Sequence, residues 1–282
     1  MNLTAANVLI TGAAGGIGSE IARQVAAQGA SLLLADLRQE PLERLAAELA
    51  GKAPAVALSA GDISSEEGRA ALVARARELG TNVLVNAAGI NPFGFVEWQP
   101  AAEISRTMLI NAVAPMLLCQ AMLPVLRTRE SAHIVNVGST FGSIGFPGFC
   151  TYSASKFALR GFSEALRREL ADSGVRVHYV APRATNTALA TSRVRAMNEE
   201  LKVGMDSPQV VAAAIVDALR LEKRETFLGA PERLFAKING LLPGLVDRSM
   251  RKQLAIVRRY AQARDDEPVG PPVYINPKEQ TQ

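Results

Sequence analysis

The sequence is poor in the side chains that bind metals or form disulfides. Among its 282 residues are only two cysteines and two histidines. Cys119 and Cys150 have neither CxxC nor zinc-ligand spacing, and His133 and His178 lie inside apolar runs. Zinc and thiol redox sites depend on such spacings, so we expect no metal site.

Long apolar runs are also missing. No uninterrupted run approaches the ~20 residues that a membrane-crossing helix needs. Residues 1–7, MNLTAAN, contain neither the basic region nor the apolar segment of a secretory leader. We therefore expect a cytoplasmic protein.

Neither sign of charge dominates the chain. It has 31 Lys and Arg residues against 27 Asp and Glu, for a net charge of +4, with 48% hydrophobic residues. These values are ordinary for a folded globular protein and exclude disorder or a coiled coil as a description of the whole chain. The basic excess is not combined with stacking aromatic residues, so we do not expect nucleic-acid binding.

The sequence does contain a regular alternation of short apolar runs and longer segments of helical period. This pattern is typical of βαβ units and predicts an α/β fold: a doubly wound parallel sheet, or Rossmann fold, with helices on both faces. About seven strands are predicted, near 8–10, 31–35, 55–58, 83–85, 133–137, 175–180 and 225–228. The predicted helices lie near 17–28, 40–50, 65–79, 101–127, 152–172 and 208–220.

The composition divides the chain into three parts. Residues 1–230 form the predicted Rossmann domain, and residues 265–282 a polar tail that we expect to be flexible. Between them, residues 231–264 combine eight basic and two acidic residues with large apolar side chains at helical spacing, and Pro243-Gly244 should divide this extension into two helices. A lid or a subunit-docking element is favoured, because most amphipathic helices turn their charges to solvent. Contact with a membrane surface through 231–264 is the alternative.

A glycine-rich turn, TGAAGGIG at 11–18, follows the first strand and opens a helix. Gly12 permits a tight turn, Gly16 lets backbone N–H groups approach phosphate oxygens, and Gly18 lets the helix pack close to the strand. The helix N-terminus adds partial positive charge. The turn therefore predicts a site for the pyrophosphate of a dinucleotide.

An acidic residue ends the second strand. Asp36 lies 18 residues after Gly18, near the spacing of the carboxylate that binds adenosine ribose in such folds. At ~4 Å it would repel a 2′-phosphate by about 4 kcal/mol for an effective dielectric of ~20. NAD is therefore favoured over NADP, although Arg38 offers a cation that could reach a phosphate.

A tyrosine and a lysine share one face of a predicted helix. Tyr152 and Lys156 are four residues apart. A lysine cation at ~4 Å would stabilise a phenolate by about 4 kcal/mol, which lowers the tyrosine pKa toward the range of a general acid or base. The pair predicts proton transfer at a substrate oxygen.

With four further motifs in order, the chain resembles the short-chain dehydrogenase/reductase family over about residues 5–230. These are Gly61-Asp62-Ile63, Asn86-Ala87-Ala88-Gly89, Asn111 within a helix, and Ser139, 13 residues before Tyr152. The resemblance implies a homodimer or homotetramer that exchanges a hydride between a nicotinamide cofactor and an alcohol or ketone. A non-catalytic nicotinamide-binding redox sensor is the alternative on this fold, but the complete catalytic set favours the enzyme.

The resemblance also implies a role for each matching residue. Tyr152 would exchange a proton with the substrate oxygen, Ser139 would orient that oxygen, and Asn111 would anchor a water that relays protons to Lys156. Lys156 would lower the tyrosine pKa and bind the nicotinamide ribose. The implied cofactor contacts are Gly12, Gly16, Ile17, Gly18, Asp36, Asp62, Ile63, Asn86, Gly89, Tyr152, Lys156 and Thr187.

Two positions depart from the family pattern. Arg183 follows Pro182 where glycine is usual, so we expect a different backbone beside the nicotinamide or a side chain directed into the active site. Gly138 precedes Ser139 where serine is common, which predicts a wider pocket floor.

Phenylalanines are concentrated in the segments expected around the substrate. Five of the nine occur there, which favours an apolar secondary alcohol or ketone of lipid-, acyl- or steroid-like character. Packing of the core or of a subunit interface is an equally good explanation for several of them. They are Phe93, Phe95, Phe141, Phe146 and Phe149.

Overall fold

The computed structural model describes residues 1–262. These residues form one parallel sheet of seven strands in the order β3-β2-β1-β4-β5-β6-β7. The end of the predicted extension, 263–264, and the predicted tail, 265–282, lie outside the described residues. The strands are β1 (Asn7–Thr11), β2 (Ser31–Asp36), β3 (Val56–Ala60), β4 (Val83–Asn86), β5 (Ala132–Val137), β6 (Val175–Ala181) and β7 (Glu225–Phe227).

Helices connect the strands and extend beyond the last one. In the described part of the chain they are α1 (Gly16–Ala26), α2 (Gln39–Leu49), α3 (Glu66–Glu78), α4 (Ala101–Met108), α5 (Ala114–Leu126), α6 (Cys150–Glu169), α7 (Ser192–Glu200), α8 (Pro208–Arg220), α9 (Ala230–Leu241) and α10 (Pro243–Gln262). Buried apolar residues of α1, α2 and α8 pack on one face of the sheet, and those of α3, α5 and α6 on the other. The predicted doubly wound Rossmann fold is confirmed.

Most element boundaries agree with the sequence pattern because they coincide with local signals. The Ser207 hydroxyl, for example, accepts a hydrogen bond from the Val210 amide at 3.4 Å and caps α8, which begins with Pro208. The predicted single helix over 101–127 is instead interrupted by a π-helical turn at Leu109–Val113. Helix α7 was missed, because its mostly polar sequence resembles a loop.

The helical stretch that contains α4 and α5 is long and apolar enough to cross a membrane by length and composition alone. An 18-residue window within Ala101–Leu126 has a mean hydropathy of 1.9, and half of it is buried within this fold. The stretch is not an uninterrupted apolar run, because Asn111 and Gln120 lie within it, so the sequence argument from uninterrupted runs did not single it out. A mostly buried core helix passes the same test.

The two C-terminal helices differ in how they meet the rest of the protein. Helix α10 buries Val246, Val257 and Tyr260, and it contacts α7. Helix α9 has no fully buried residue. The predicted division near Pro243 is observed, and the role of residues 231–264 as a lid or docking element stays a prediction.

Candidate active site

The predicted site residues gather at the carboxyl ends of the central strands. The strand order reverses between β1 and β4, and in open α/β sheets ligands bind in the crevice beyond this reversal. At that edge Thr11 of β1 is paired with Asn86 of β4. The side-chain hydroxyl of Thr11 accepts hydrogen bonds from the Ala87 and Ala88 amides at 3.2 and 3.3 Å, which connects the loops after both strands.

Three glycines of the loop after β1 are packed too closely against neighbouring protein atoms to carry a side chain. Gly12 has φ +65°, and a Cβ there would lie 2.7 Å from Ala88 Cα. A Cβ at Gly18 would lie 2.1 Å from the Gly12 carbonyl oxygen, and one at Gly16 would lie 2.9 Å from Thr187 Cγ2. The N-terminus of helix α1 is therefore preceded by glycines, and its N-cap residue, Gly15, has no side chain to cap the first backbone N–H groups. This cradle fits a pyrophosphate.

The acidic residue at the end of β2 faces this loop. The Asp36 carboxylate accepts a hydrogen bond from the Ala14 amide at 3.1 Å, which places a negative charge beside the cradle. Leu37 and Arg38, the next two side chains, are exposed. The arrangement fits an adenosine ribose at Asp36.

The side chains of Asp62 and Asn86, two of the other implied cofactor contacts, form hydrogen bonds within the protein. Asp62 Oδ1 accepts a hydrogen bond from the Ser64 amide at 2.8 Å, and hydrogen bonding to Ser64 lowers the pKa of this carboxyl. Asn86 Nδ2 donates to Asn136 Oδ1 at 2.9 Å inside the protein. A cofactor would therefore meet these positions mainly through their backbone, and Ile63 packs at the edge of the core.

The loop after β5 and the start of α6 bring Ser139 and Tyr152 into one cavity. Ser139 Oγ accepts a hydrogen bond from the Phe141 amide at 3.1 Å and caps the short turn Thr140–Gly142. Interaction with the Ser139 hydroxyl lowers the pKa of Tyr152, but burial outweighs it and raises that pKa to about 12. Tyr152 is therefore a phenol at neutral pH.

Lys156 and Asn111 lie behind this pair. Lys156 Nζ donates to the Val137 carbonyl oxygen at 2.9 Å and lies 5.7 Å from the centroid of the Tyr152 ring. Asn111, in the π-helical turn, accepts from the Ile90 amide at 2.9 Å and donates to the Ile90 carbonyl oxygen at 2.8 Å. A Cβ at Gly89 would lie 3.1 Å from Asn111 Oδ1 and 3.8 Å from Lys156 Nζ, so these three residues adjoin.

The protonation of the tyrosine and lysine differs from the expectation based on their spacing. Burial lowers the pKa of Lys156 to about 8. Its ammonium is directed at a carbonyl oxygen rather than at the phenol, so desolvation dominates both groups. Lys156 is not a cause of the Tyr152 pKa shift in this arrangement, and its effect on that pKa during the reaction stays a prediction.

Ser139 and Tyr152 open into a cavity of about 200 Å³. Phe141, Phe146 and Phe149 line it as expected, with Ile17 and Thr187 from the cofactor side. Phe93 and Phe95 instead pack around this aromatic cluster. Further lining residues come from the segments 90–98 and 186–205, which the sequence argument also expected around the substrate, and they include Asn91, Leu189, Val194, Met197 and Met205. Glu232 of α9 is a lining residue that the sequence argument missed.

The Arg183 side chain lines this cavity but is held by two carboxylates. Its Nε and Nη2 donate to Asp206 at 2.9 and 2.8 Å, and Nη1 donates to Glu232 of α9 at 3.3 Å. The guanidinium thus connects the loop after β6 to α9 and is directed at these acids. Arg183, which replaces the glycine usual in the family, therefore connects helix α9 of the C-terminal extension to the cavity.

Gly138 does not widen the pocket floor, because the ring of Tyr179 fills the space that a side chain would take. A Cβ at Gly138 would lie 2.1 Å from Tyr179 Cζ, and one at Gly142 would lie 2.4 Å from its hydroxyl oxygen. The Tyr179 hydroxyl donates to the Ser139 carbonyl oxygen at 3.3 Å and accepts from the Ser139 amide at 3.4 Å. A buried tyrosine of β6 thus supports the backbone of Ser139.

No group of three or more His, Cys, Asp or Glu residues suited to a metal occurs within 1–262. The two histidines form a buried pair, with His133 Nδ1 2.9 Å from His178 Nε2. The expectation that the protein has no metal site stays a prediction.

Comparison with known proteins identifies the family. The model for short chain dehydrogenases matches residues 6–198. A ketoacyl reductase of Nostoc sp. is 31% identical over 260 residues, which are 88% of this chain and 89% of that protein. The chain belongs to the short-chain dehydrogenase/reductase family and is an oxidoreductase that works with a nicotinamide cofactor, which decides against the sensor alternative.

Solved structures of relatives contain either form of the cofactor. A short-chain dehydrogenase from Sphingobium yanoikuyae in complex with NADPH has a TM-score of 0.74 and 30% identity, covering 86% of this chain and 96% of that one. A 3-ketoacyl-(acyl-carrier-protein) reductase from Brucella melitensis complexed with NADH has a TM-score of 0.74 and 26% identity, covering 80% and 97%.

We predict that Gly138→Ser destabilises the protein by about 1–3 kcal/mol or more, because the new side chain overlaps the Tyr179 ring. Tyr179→Ala removes that overlap, so the double variant should lose less stability than the sum of the two single losses. Urea unfolding measures each free energy.

Gly145→Ser is the matched control, since a Cβ at Gly145 meets nothing within 4 Å. Additive losses in the double variant, or equal losses at positions 138 and 145, would contradict the assignment of Tyr179 to this space.

Proposed function

We propose that the protein interconverts an apolar secondary alcohol and its ketone, with NAD(H) preferred over NADP(H). The observation that carries this proposal is the cavity at Ser139 and Tyr152, whose lining is mainly aromatic and aliphatic. Substrate pockets of this kind bind the apolar part of a ligand and orient it by a few polar groups.

The chemistry follows from the two hydroxyl groups that face the cavity. Ser139 donates a hydrogen bond to the substrate oxygen and orients it, and Tyr152 transfers a proton to or from the same oxygen. The raised pKa keeps Tyr152 protonated, which is the form that gives a proton to a ketone oxygen. When bound, the nicotinamide supplies or accepts the hydride at the substrate carbon.

Lys156 and Asn111 support this pair from behind. Lys156 binds the ribose hydroxyls of the cofactor, and its positive charge favours loss of the Tyr152 proton in the direction of alcohol oxidation. Asn111 fixes the loop after β4 through Ile90 and anchors a water on the path to Lys156. Thr187, in contact with the glycine loop, meets the nicotinamide carboxamide.

The proposed substrate carries a lipid-, acyl- or steroid-like group next to its reacting carbon. Phe141 lies with its ring centroid 6.3 Å from that of Tyr152, and Phe149 at 6.4 Å, so apolar surface begins beside the reacting oxygen. Two of the relatives named above are ketoacyl reductases, which supports an acyl-type ketone.

We expect ketones and secondary alcohols with longer apolar groups to be turned over with higher kcat/KM than short ones, because they bury more apolar surface in the cavity. Absorbance of the reduced nicotinamide measures turnover across a series of chain lengths. A preference for small or charged substrates would contradict the proposed substrate class.

Tyr152→Phe removes the proton donor but little volume. We predict a fall in kcat of at least roughly a hundredfold, with a cofactor dissociation constant close to that of the unaltered protein. Steady-state kinetics and calorimetric titration measure the two quantities. Activity within tenfold of the unaltered enzyme would exclude Tyr152 as the proton donor.

Lys156→Ala should lower kcat and also weaken cofactor binding by roughly tenfold, because one ammonium serves both functions. The titration used for Tyr152→Phe gives the comparison, because the main contact with the nicotinamide ribose is assigned to Lys156. An unchanged dissociation constant in Lys156→Ala would disprove the ribose contact.

The preference for NAD(H) rests on Asp36, whose carboxylate lies beside the cradle. We predict tighter binding of NADH than of NADPH, and Asp36→Ala should narrow the difference because it removes the repulsion of the 2′-phosphate. Titration with both reduced cofactors measures this. Arg38→Ala is the control. If the unaltered protein binds NADPH more tightly than NADH and Arg38→Ala loses this preference, Arg38 rather than Asp36 selects the cofactor.

Two further proposals concern assembly and location. Leu109, Val113 and Phe157 are partly exposed, between 37% and 43%, on adjoining parts of the helical face formed by α4, the π-helical turn and α6. Such a face is suited to a second copy of the chain, in a homodimer or homotetramer. A cytoplasmic location is likewise a proposal that rests on the sequence.

A further inference from the structure

Helix α9 contacts the body of the protein through polar side chains. Glu232 forms its ion pair with Arg183, and Asn239 Nδ2 donates to the Ser143 carbonyl oxygen at 2.9 Å. At 100° per residue, a side chain two positions further along a helix lies on nearly the opposite side. Leu234 and Leu241 follow Glu232 and Asn239 by two positions each, and they are 58% and 80% exposed.

This polarity is the reverse of that in a helix packed on a core, where apolar side chains face inward. Helix α10 shows the usual arrangement, because its buried residues Val257 and Tyr260 join the aromatic cluster that includes Phe149. The two helices adjoin, so α10 serves as an internal comparison. We call the exposed apolar residues of the helical pair the leucine tip, and they are Leu234, Phe235, Leu241, Leu242 and Leu245.

Basic residues flank the leucine tip. Arg233 and Lys237 are exposed on α9 one turn apart, and Arg248 and Lys252 are exposed on α10 at three and seven residues after Leu245, on the same side of the helix. Between residues 233 and 262, Asp247 is the only acidic residue in the sequence. Exposed leucines bordered by lysine and arginine are the composition of a membrane-surface element.

We propose that the leucine tip inserts into the surface of an anionic lipid membrane, with the flanking basic residues bound to the lipid head groups. Charge distinguishes this occupant from a second copy of the chain. A symmetric contact between two such tips would bring their positive charges together, whereas an anionic lipid surface neutralises them. Glu232 also lines the substrate cavity, so the membrane surface would lie near the region where an apolar substrate binds.

The test is sedimentation of the full-length protein with lipid vesicles, made either of phosphatidylcholine alone or of phosphatidylcholine and phosphatidylglycerol in equal amounts. We expect binding to the anionic vesicles at physiological salt and weaker binding at high salt. The triple variant Leu241→Gln, Leu242→Gln, Leu245→Gln should reduce the bound fraction by at least roughly tenfold, since it removes the inserted apolar surface.

Leu221→Gln is the matched control, because Leu221 is 63% exposed but lies after α8, outside the tip. It should bind vesicles like the unaltered protein. Lys237→Glu, Arg248→Glu should lose binding to anionic vesicles while keeping the melting temperature, since both positions are exposed. Tyr152→Phe should bind unchanged, so failure of the proposed catalytic chemistry would not be mistaken for failure of this proposal.

Three results would overturn the proposal. The first is that the unaltered protein does not bind vesicles, and the second is that the triple variant binds them as well as the unaltered protein does. The third is that neither protein binds vesicles but the triple variant has a lower oligomeric mass. The last result, measured by light scattering, would assign the leucine tip to a contact between copies of this chain.

Discussion

The close contact between the backbones of the loops after β1 and β4 is the constraint on which the site depends. Gly12 approaches Ala88 so closely that a Cβ would lie 2.7 Å from its Cα, and Thr11 holds the amides of Ala87 and Ala88. The next residue, Gly89, adjoins Asn111 and Lys156. The position of the glycine cradle relative to helix α6 is therefore set by the close approach of Gly12 to Ala88, by the Thr11 hydrogen bonds and by the contacts of Gly89.

Features encoded within one element could be predicted from the sequence. The helical spacing of Tyr152 and Lys156, the glycine pattern of the first turn and the Ser207 cap are all local signals, and each occurs where the pattern indicates. The resemblance to a known family added Ser139 and Asn111, which belong to other elements and meet Tyr152 and Lys156 only in the fold.

Features that depend on pairs of distant residues could not be predicted in the same way. Gly138 and Tyr179 are 41 positions apart, and only the fold shows that one fills the space left by the other. Arg183 was recognised as unusual, but its partners Asp206 and Glu232 come from later segments. The side chain of Asn86 was placed near the cofactor by its motif, whereas its hydrogen bond to Asn136 follows from the pairing of β4 with β5.

The side chain of Lys156 is buried and that of Tyr152 is partly buried, whereas several apolar side chains of the C-terminal extension are exposed. Around Tyr152 and Lys156 burial favours the neutral form of each group, so the same desolvation raises one pKa and lowers the other. The leucine tip keeps its apolar side chains exposed, although later residues of α10, Val257 and Tyr260, are buried. Arg183 joins these two regions, because it lines the cavity and holds α9 through Glu232. The residue at the usual glycine position thus links α9, which carries part of the leucine tip, to the loop that borders the cavity.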